Sequence, residues 1–268
     1  MSALGNLAGD ETPIWRYMDL PRFVAMLGSQ SIWFAKAARF EDGYEGFCQV
    51  QRPQMPQVDR IAKAITKATA SGVTKLISLT EMLVDMAGRS ADYFDNAREH
   101  LYVNSWCLAD ESMAMWEIYG GRGHGIALKS TVGKYRSAAR FNLRVEQYAF
   151  GPVQYDLDIA SNQELNLDLR QGAIPLPGPG VWEKLLRVAF HKRTCFEYER
   201  EWRAALYQDP RPDHVGCKIE FDLSELINAV YVGPRADSFL QDVTASIMEK
   251  FGLAKPLQRS ALLQNPSR

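Results

Sequence analysis

Apolar and polar positions alternate in two different periods along this chain, and the changes between them mark its elements. "IWRYM" (14–18) and "SIWFA" (31–35) are short aromatic runs with the composition of strands. "LPRFVAMLGS" between them has helical spacing, with Asp19 in position to cap its start and Gly28 to stop it. From about 57 to 100 the period is helical, with Val58, Ile61, Ala62 and Ile65 on one face. "LYVNSWCLA" (101–109), "GIALK" (125–129), "FNLRVEQYAF" (141–150) and "AVYVGP" read as strands, and "SMAMWEIYGG" as a short helix stopped by glycine. "VWEKLLRVAFHKR" (181–193) predicts a helix, and "FEYEREWRAAL" (196–206) a strand. After the "QDPRPDHVG" turn, "CKIEFDL" is expected to be that strand's antiparallel partner. A last helix over about 235–252 carries Leu240, Val243, Ile247 and Phe251 along one side.

Strands in hairpins and helices in blocks, without regular βαβ alternation, predict an α+β fold with a mostly antiparallel twisted sheet flanked by helices. Residues 1–12 and 254–268 read as flexible ends around one domain over 13–253. The Pro/Gly-interleaved "GAIPLPGPG" (172–180) reads as a loop inside that domain. Composition adds exclusions. A net charge of −1 gives the chain as a whole no nucleic-acid signature. The four cysteines, Cys48, Cys107, Cys195 and Cys217, are too scattered for a zinc site or a disulfide framework and read as free thiols. No apolar run can span a bilayer, and "MSALGNLAGDETP" has no signal-peptide pattern, so a soluble cytoplasmic protein is expected. Four histidines in no paired ligand spacing, and the absence of a G-x-S-x-G elbow, give no support to zinc hydrolases or serine triads.

The chemistry concentrates in four stretches. If 199–207 is a strand, Trp202, Ala204 and Leu206 take one face, while Glu199, Glu201 and Arg203 take the other. Two carboxylates then point into one cleft, or else form a solvated charged face. Arg16 shares a face with Ile14 and Met18 and needs an anion, either a structural glutamate or a ligand phosphate or carboxylate. In "RFEDGYEG", Asp42 and Glu45 are a turn and a local cap, or ligands of a metal or substrate. The glycines at 120, 121, 123 and 125 supply a helix stop and tight turn, or a phosphate cradle.

The order of "WRYMDLPRFVAML", "SIWFAKAARFEDGYEG", "VNSWCL…MWEIYG…GIAL", "FEYEREWR" and "VYVGP" resembles a large bacterial family of uncharacterised proteins, some of whose relatives are linked to abortive phage infection. More distantly, an arginine on a first strand, a serine on a middle strand and a late E-x-E resemble the ADP-ribosyltransferase superfamily. The middle strand reads Asn104-Ser105-Trp106 where that superfamily often has Ser-Thr-Ser. The resemblance implies NAD as substrate, with no metal. It implies Glu201 as the catalytic glutamate, Glu199 toward the acceptor, Arg16 on the pyrophosphate, Ser105 at the middle-strand position, and Tyr17 or Tyr119 against nicotinamide. A phage-defence or toxin effector is the implied setting, with a protein, nucleic acid, small molecule or water as acceptor. Two other readings stay open: a Mg²⁺-dependent nuclease built on Asp42, Glu199, Glu201 and Lys192, and a non-catalytic binding module whose Arg–Glu pairs are structural.

Overall fold

The structure is a computed structural model describing residues 8–47, 50–51, 96–142, 147–156, 158, 162, 165, 167–168, 183, 185–208 and 215–263. Most of the helical pattern over 57–100 and the 172–180 loop fall outside the described residues. The strands are β1 (Pro13–Met18), β2 (Ser31–Lys36), β3 (Val50–Gln51), β4 (Leu101–Cys107), β5 (Ile126–Thr131), β6 (Tyr148–Pro152), β7 (Gln154–Asp156), β8 (Leu167–Asp168), β9 (His191–Arg193), β10 (Glu201–Tyr207), β11 (Gly216–Glu220), β12 (Ala229–Val232) and β13 (Leu257–Arg259). The helices are α1 (Leu20–Ser29), α2 (Ala97–His100), α3 (Met113–Ile118), α4 (Val132–Ala138), α5 (Leu223–Leu226) and α6 (Ser238–Lys250). The result is the expected α+β architecture, a mostly antiparallel sheet flanked by helices. Among the described residues, no helix is long and apolar enough to cross a membrane.

The main sheet runs β11-β2-β4-β1-β5-β12-β13, and β10 lies between β4 and β6. The sheet forks at β4. One edge of β4 pairs along its whole length with β10. The other edge is shared: β2 takes Tyr102 and Val103, and β1 takes Cys107. Among the described residues, the backbone between those contacts has no strand neighbour on that side. Arg16 Nη1 donates to the Ser105 carbonyl at 2.9 Å, and Asn104 Nδ2 donates to the Trp33 carbonyl at 2.9 Å. Side chains thus satisfy the polar groups that the fork leaves open.

Both faces of the sheet are covered. On one, Ile14, Met18, Phe34, Trp106, Leu128, Trp202 and Leu206 form the largest core with residues of α1, α4, α5 and α6. Tyr135 of α4 stands at its centre, edge-on to Trp106 and Trp202 at 5.7 and 4.9 Å. The other face carries two smaller apolar clusters. One holds Leu101, Val103, Phe190, Ala205 and Tyr207; the other holds Trp15, Tyr17, Cys107 and Trp116. Glu201, Arg203 and Ser105 lie between them on the same face, because they alternate with the residues of the large core.

Several expected boundaries move. Asp19 caps α1 as expected, accepting from the Arg22 amide. The helix nevertheless runs past Gly28 to Ser29 and ends on Gln30 in the left-handed region. The 181–193 pattern is helical only to Phe190. His191–Arg193 becomes a strand parallel to β7. Residues 216–220 do not pair with β10, because β4 and β6 already hold both of its edges; they pair with β2 instead. The 141–150 strand begins at Tyr148, with residues 143–146 outside the described residues. In α6 the buried positions are Thr244 and Met248, with Leu240, Ile247 and Phe251 packed on the core beside them.

Candidate active site

Strand β10 starts at Glu201, so Glu199 is not on the strand as expected. It ends a 3-10 helix over Thr194–Glu199, and Arg200 between the two glutamates is left-handed at φ 44°. A non-glycine residue in that region is uncommon and costs about 1–2 kcal/mol. This local reversal, rather than strand alternation, turns both carboxylates toward one point. There they meet Lys192 of β9, whose Nζ lies 2.5 Å from Glu199 Oε2, 3.0 Å from Glu201 Oε1 and 3.2 Å from Glu45 Oε1. Glu45, Lys192, Glu199, Glu201 and Arg203 are all at most 7% exposed.

Arg203 completes the arrangement. Its Nε meets Glu201 Oε2, one Nη reaches Glu45 Oε2 at 2.5 Å, and the other donates to the Ala189 carbonyl at 2.8 Å. Lys192, Glu45, Arg203 and Glu201 therefore form a closed ring of alternating charge, two positive and two negative. Glu199 is the fifth member. It contacts Lys192, accepts from the Tyr119 hydroxyl at 3.0 Å and shares a hydrogen bond with Glu201. Its charge is the one the ring does not balance.

That asymmetry separates the two carboxyls. Burial raises the Glu199 pKa, the hydrogen bond to Glu201 and that residue's charge raise it further, and Lys192 offsets only part; the result is about 7. Glu201 is also buried, but Arg203, the hydrogen bond from Glu199 and Lys192 outweigh the burial and hold it well below the ordinary carboxylate range. Burial alone would lower Lys192, yet Glu201 and Glu45 keep it firmly protonated. The site thus pairs an ionised carboxylate with a carboxyl that titrates near neutrality.

The supports are local. Glu45 comes from the 40–47 loop, followed by Gly46 at φ +74°, where a side chain would meet Leu101 and Arg98. Arg98 of α2 holds this loop through the carbonyls of Ala37, Phe40, Asp42 and Gly43. Asp42 takes the turn role, accepting from the Tyr44 amide, and its second oxygen binds Arg193 at 3.0 Å. It does not join the glutamates. Glu45 is no local cap; it reaches across to Arg203 and Lys192. The Tyr155 hydroxyl accepts from the Glu201 amide at 2.8 Å.

The other expected site residues separate. Tyr119, 40% exposed, donates its hydroxyl to Glu199, and Tyr198, 48% exposed, stands beside the same carboxyl. Ser105 is half-buried on the Glu201 face, opposite Arg203 in register. Tyr17 is core: its hydroxyl accepts from the Ser112 amide and its ring is edge-on to Trp116 at 5.0 Å. Arg16 alternates with Tyr17 and lies with Ile14 and Met18 on the opposite side of the sheet from the glutamates. Burial lowers its pKa to about 10, so it stays charged while bonded at the fork. The amides of Gly120, Gly123, His124 and Gly125 donate to backbone carbonyls, so the glycine turn is a turn and not a cradle. Sequence reading missed the ring role of Glu45 and the loop-holding role of Arg98. The spacing of neither residue carries a signal of a contact so distant along the chain.

A metal reading needs Asp42, Glu199 and Glu201 around a cation. Here the ammonium of Lys192 occupies the point where Glu45, Glu199 and Glu201 converge, and Asp42 faces Arg193.

No family model and no curated protein matches the chain. Solved structures of DarT from Thermus sp. 2.9 align over nearly all of it. The complex with ADP-ribosylated ssDNA covers 96% of this chain and 96% of its own, at TM-score 0.39 and 10% identity. The complex with NAD+ covers 95% of this chain and 98% of its own, at TM-score 0.38 and 11% identity. The complex with carba-NAD+ covers 94% and 96%, at TM-score 0.37 and 10% identity.

Proposed function

We propose that the chain is an ADP-ribosyltransferase-like enzyme that cleaves the nicotinamide–ribose bond of NAD. The observation that carries this reading is the meeting, on Lys192, of the ionised Glu201 and the near-neutral Glu199. Breaking that bond leaves its electron pair on the nicotinamide nitrogen and positive charge on the ribose, as in other oxocarbenium-like chemistry. Glu201 stabilises that charge from a fixed position. The acceptor oxygen then bonds to the ribose carbon and gives its proton to Glu199, which near neutral pH is ionised in about half of the molecules. Tyr119, part-exposed beside Glu199, offers an aromatic ring to nicotinamide, and Ser105 contributes a hydroxyl on the Glu201 face. Arg16 plays no part in holding pyrophosphate in this scheme; it supports the strand that carries Ser105. The same reading takes residues 13–253 as one catalytic unit acting in the cytoplasm, as a phage-defence or toxin effector.

The test is nicotinamide release from NAD by the purified chain, with and without candidate acceptors, for wild type and Glu201→Gln. The variant keeps shape and removes the charge, so release is expected to fall about 10²–10³-fold. Wild-type protein that consumes no NAD with any acceptor, or full activity in Glu201→Gln, ends the reading.

A further inference from the structure

The ring of alternating charge closes through a loop residue that touches neither Glu199 nor the solvent side of the site. We propose that Glu45 is a positioning residue for the reaction: by closing the ring with Lys192 and Arg203 it takes up positive charge that would otherwise ionise Glu199, and so leaves Glu199 as the proton carrier. The inference rests on the functional reading above only in treating the two glutamates as the reacting pair.

The geometry gives each partner a fixed allotment. An ammonium has three N–H donors. Lys192 has three carboxylate partners, one each from the 40–47 loop, the 3-10 helix and β10. Arg203 spends its Nε on Glu201 and one Nη on Glu45. Both cations are thus shared between Glu45 and Glu201, and only one N–H of Lys192 remains for Glu199. Around Glu199 stand Tyr119 at the C-terminal end of α3, Tyr198 from its own helix, Arg200 next in the chain, Lys192 from β9 and Glu201 from β10, with Cys107 of β4 farther off. Among the described residues, Lys192 is the cation in salt-bridge contact with Glu199. If Glu45 loses its charge, two cations face Glu201 and Glu199 alone, and Glu199 becomes the partner that balances them. A change in a loop, with no direct contact to Glu199, then moves the proton that Glu199 carries.

The experiment follows the side-chain carboxyl resonances of ¹³C-glutamate-labelled full-length protein against pH, in wild type, Glu45→Gln and Glu45→Asp, with Glu199→Gln to assign the signal. In wild type, Glu199 is expected to titrate near neutrality and Glu201 to stay ionised down to the acid limit of folding. In Glu45→Gln the Glu199 midpoint is expected to fall by at least about one pH unit, and in Glu45→Asp, which keeps the charge, to stay within a few tenths of wild type. Where nicotinamide release is measurable, the limb of its pH profile that reports Glu199 moves to lower pH by the same amount. An unchanged or raised Glu199 midpoint in folded Glu45→Gln overturns the proposal. If Glu45→Gln does not fold, a wild-type Glu199 midpoint near 4, or a Glu45→Asp midpoint more than one unit lower, overturns it, and the expected values support it. Because the titration needs no turnover, protein that shifts as expected yet never cleaves NAD loses only the NAD reading. Protein whose Glu201→Gln variant is dead but whose Glu199 is indifferent to Glu45 loses only this one.

Discussion

The two faces of β10 are equally buried and built on opposite principles. Trp202, Ala204 and Leu206 enter an apolar core around Tyr135, where ring contacts repeat at 4.9–6.0 Å. One residue along the strand, Glu201 and Arg203 enter a charge network with Lys192, Glu45 and Glu199. An apolar core depends on volume, and its losses are graded. A buried charge network depends on matching, and losing one member strands another. The second face is therefore costly to keep and specific in what it holds: a carboxylate and a carboxyl at fixed positions with separated pKa values.

The widest break in this comparison is Arg203→Met. It keeps volume on the charged face but leaves Glu201 and Glu45 with only Lys192 between them. The expected loss is about 3–5 kcal/mol, measured by urea unfolding at pH 7. A loss below about 1 kcal/mol would mean that the network is not matched as described.

A sharper test uses pH. The proton on Glu199 is held to about pH 7 in the folded protein, against an ordinary glutamate value of 4.5. Below 4.5 both folded and unfolded chains carry it. Between 4.5 and 7 the unfolded chain gives it up first, so the contribution of this group to stability is lost as pH rises through 7. Two and a half units correspond to about 3 kcal/mol. Glu199→Gln has no such proton, so its stability relative to wild type is expected to rise across that window. Parallel pH curves of the two proteins would show that Glu199 titrates where free glutamates do. Glu201 has the opposite sign: its contribution is present above 4.5 and lost as pH falls toward its depressed value.

The smallest effect lies on the apolar face. Tyr135→Phe removes one hydroxyl, which donates to Asn104 Oδ1 at 3.1 Å, from a ring that otherwise stays packed. About 1 kcal/mol is expected, with no change in pH dependence. A pH-dependent loss would mean that the two faces communicate through β4.

Much of the fold was legible in short windows. Aromatic and β-branched runs between turn signals place β1, β2, β4 and β10, and Asp19 caps α1, because these outcomes depend on a few neighbouring residues. Period 2 likewise separates Trp202 from Glu201 and Arg203 on any strand through 201–207, and the two carboxylates were visible as candidates from their spacing. Pairing partners and convergence were not. The strand at 216–220 went to β2 because β10 had no free edge, which is a property of the whole sheet. Arg16 read as the partner of a structural glutamate or of a ligand anion, but at the β4 fork it bonds the Ser105 carbonyl instead. Arg200 adopts a left-handed conformation that no residue type there announces, and that reversal brings Glu199 to Lys192. Glu45 is more than 140 positions from Lys192 in the sequence. Sequence by itself set which residues are strand, helix, apolar or charged, since local sterics and hydrophobic period act within a few positions. Only the tertiary structure decided which charges share a site, because the energy of a buried ion depends on the partners that packing brings within a few ångströms.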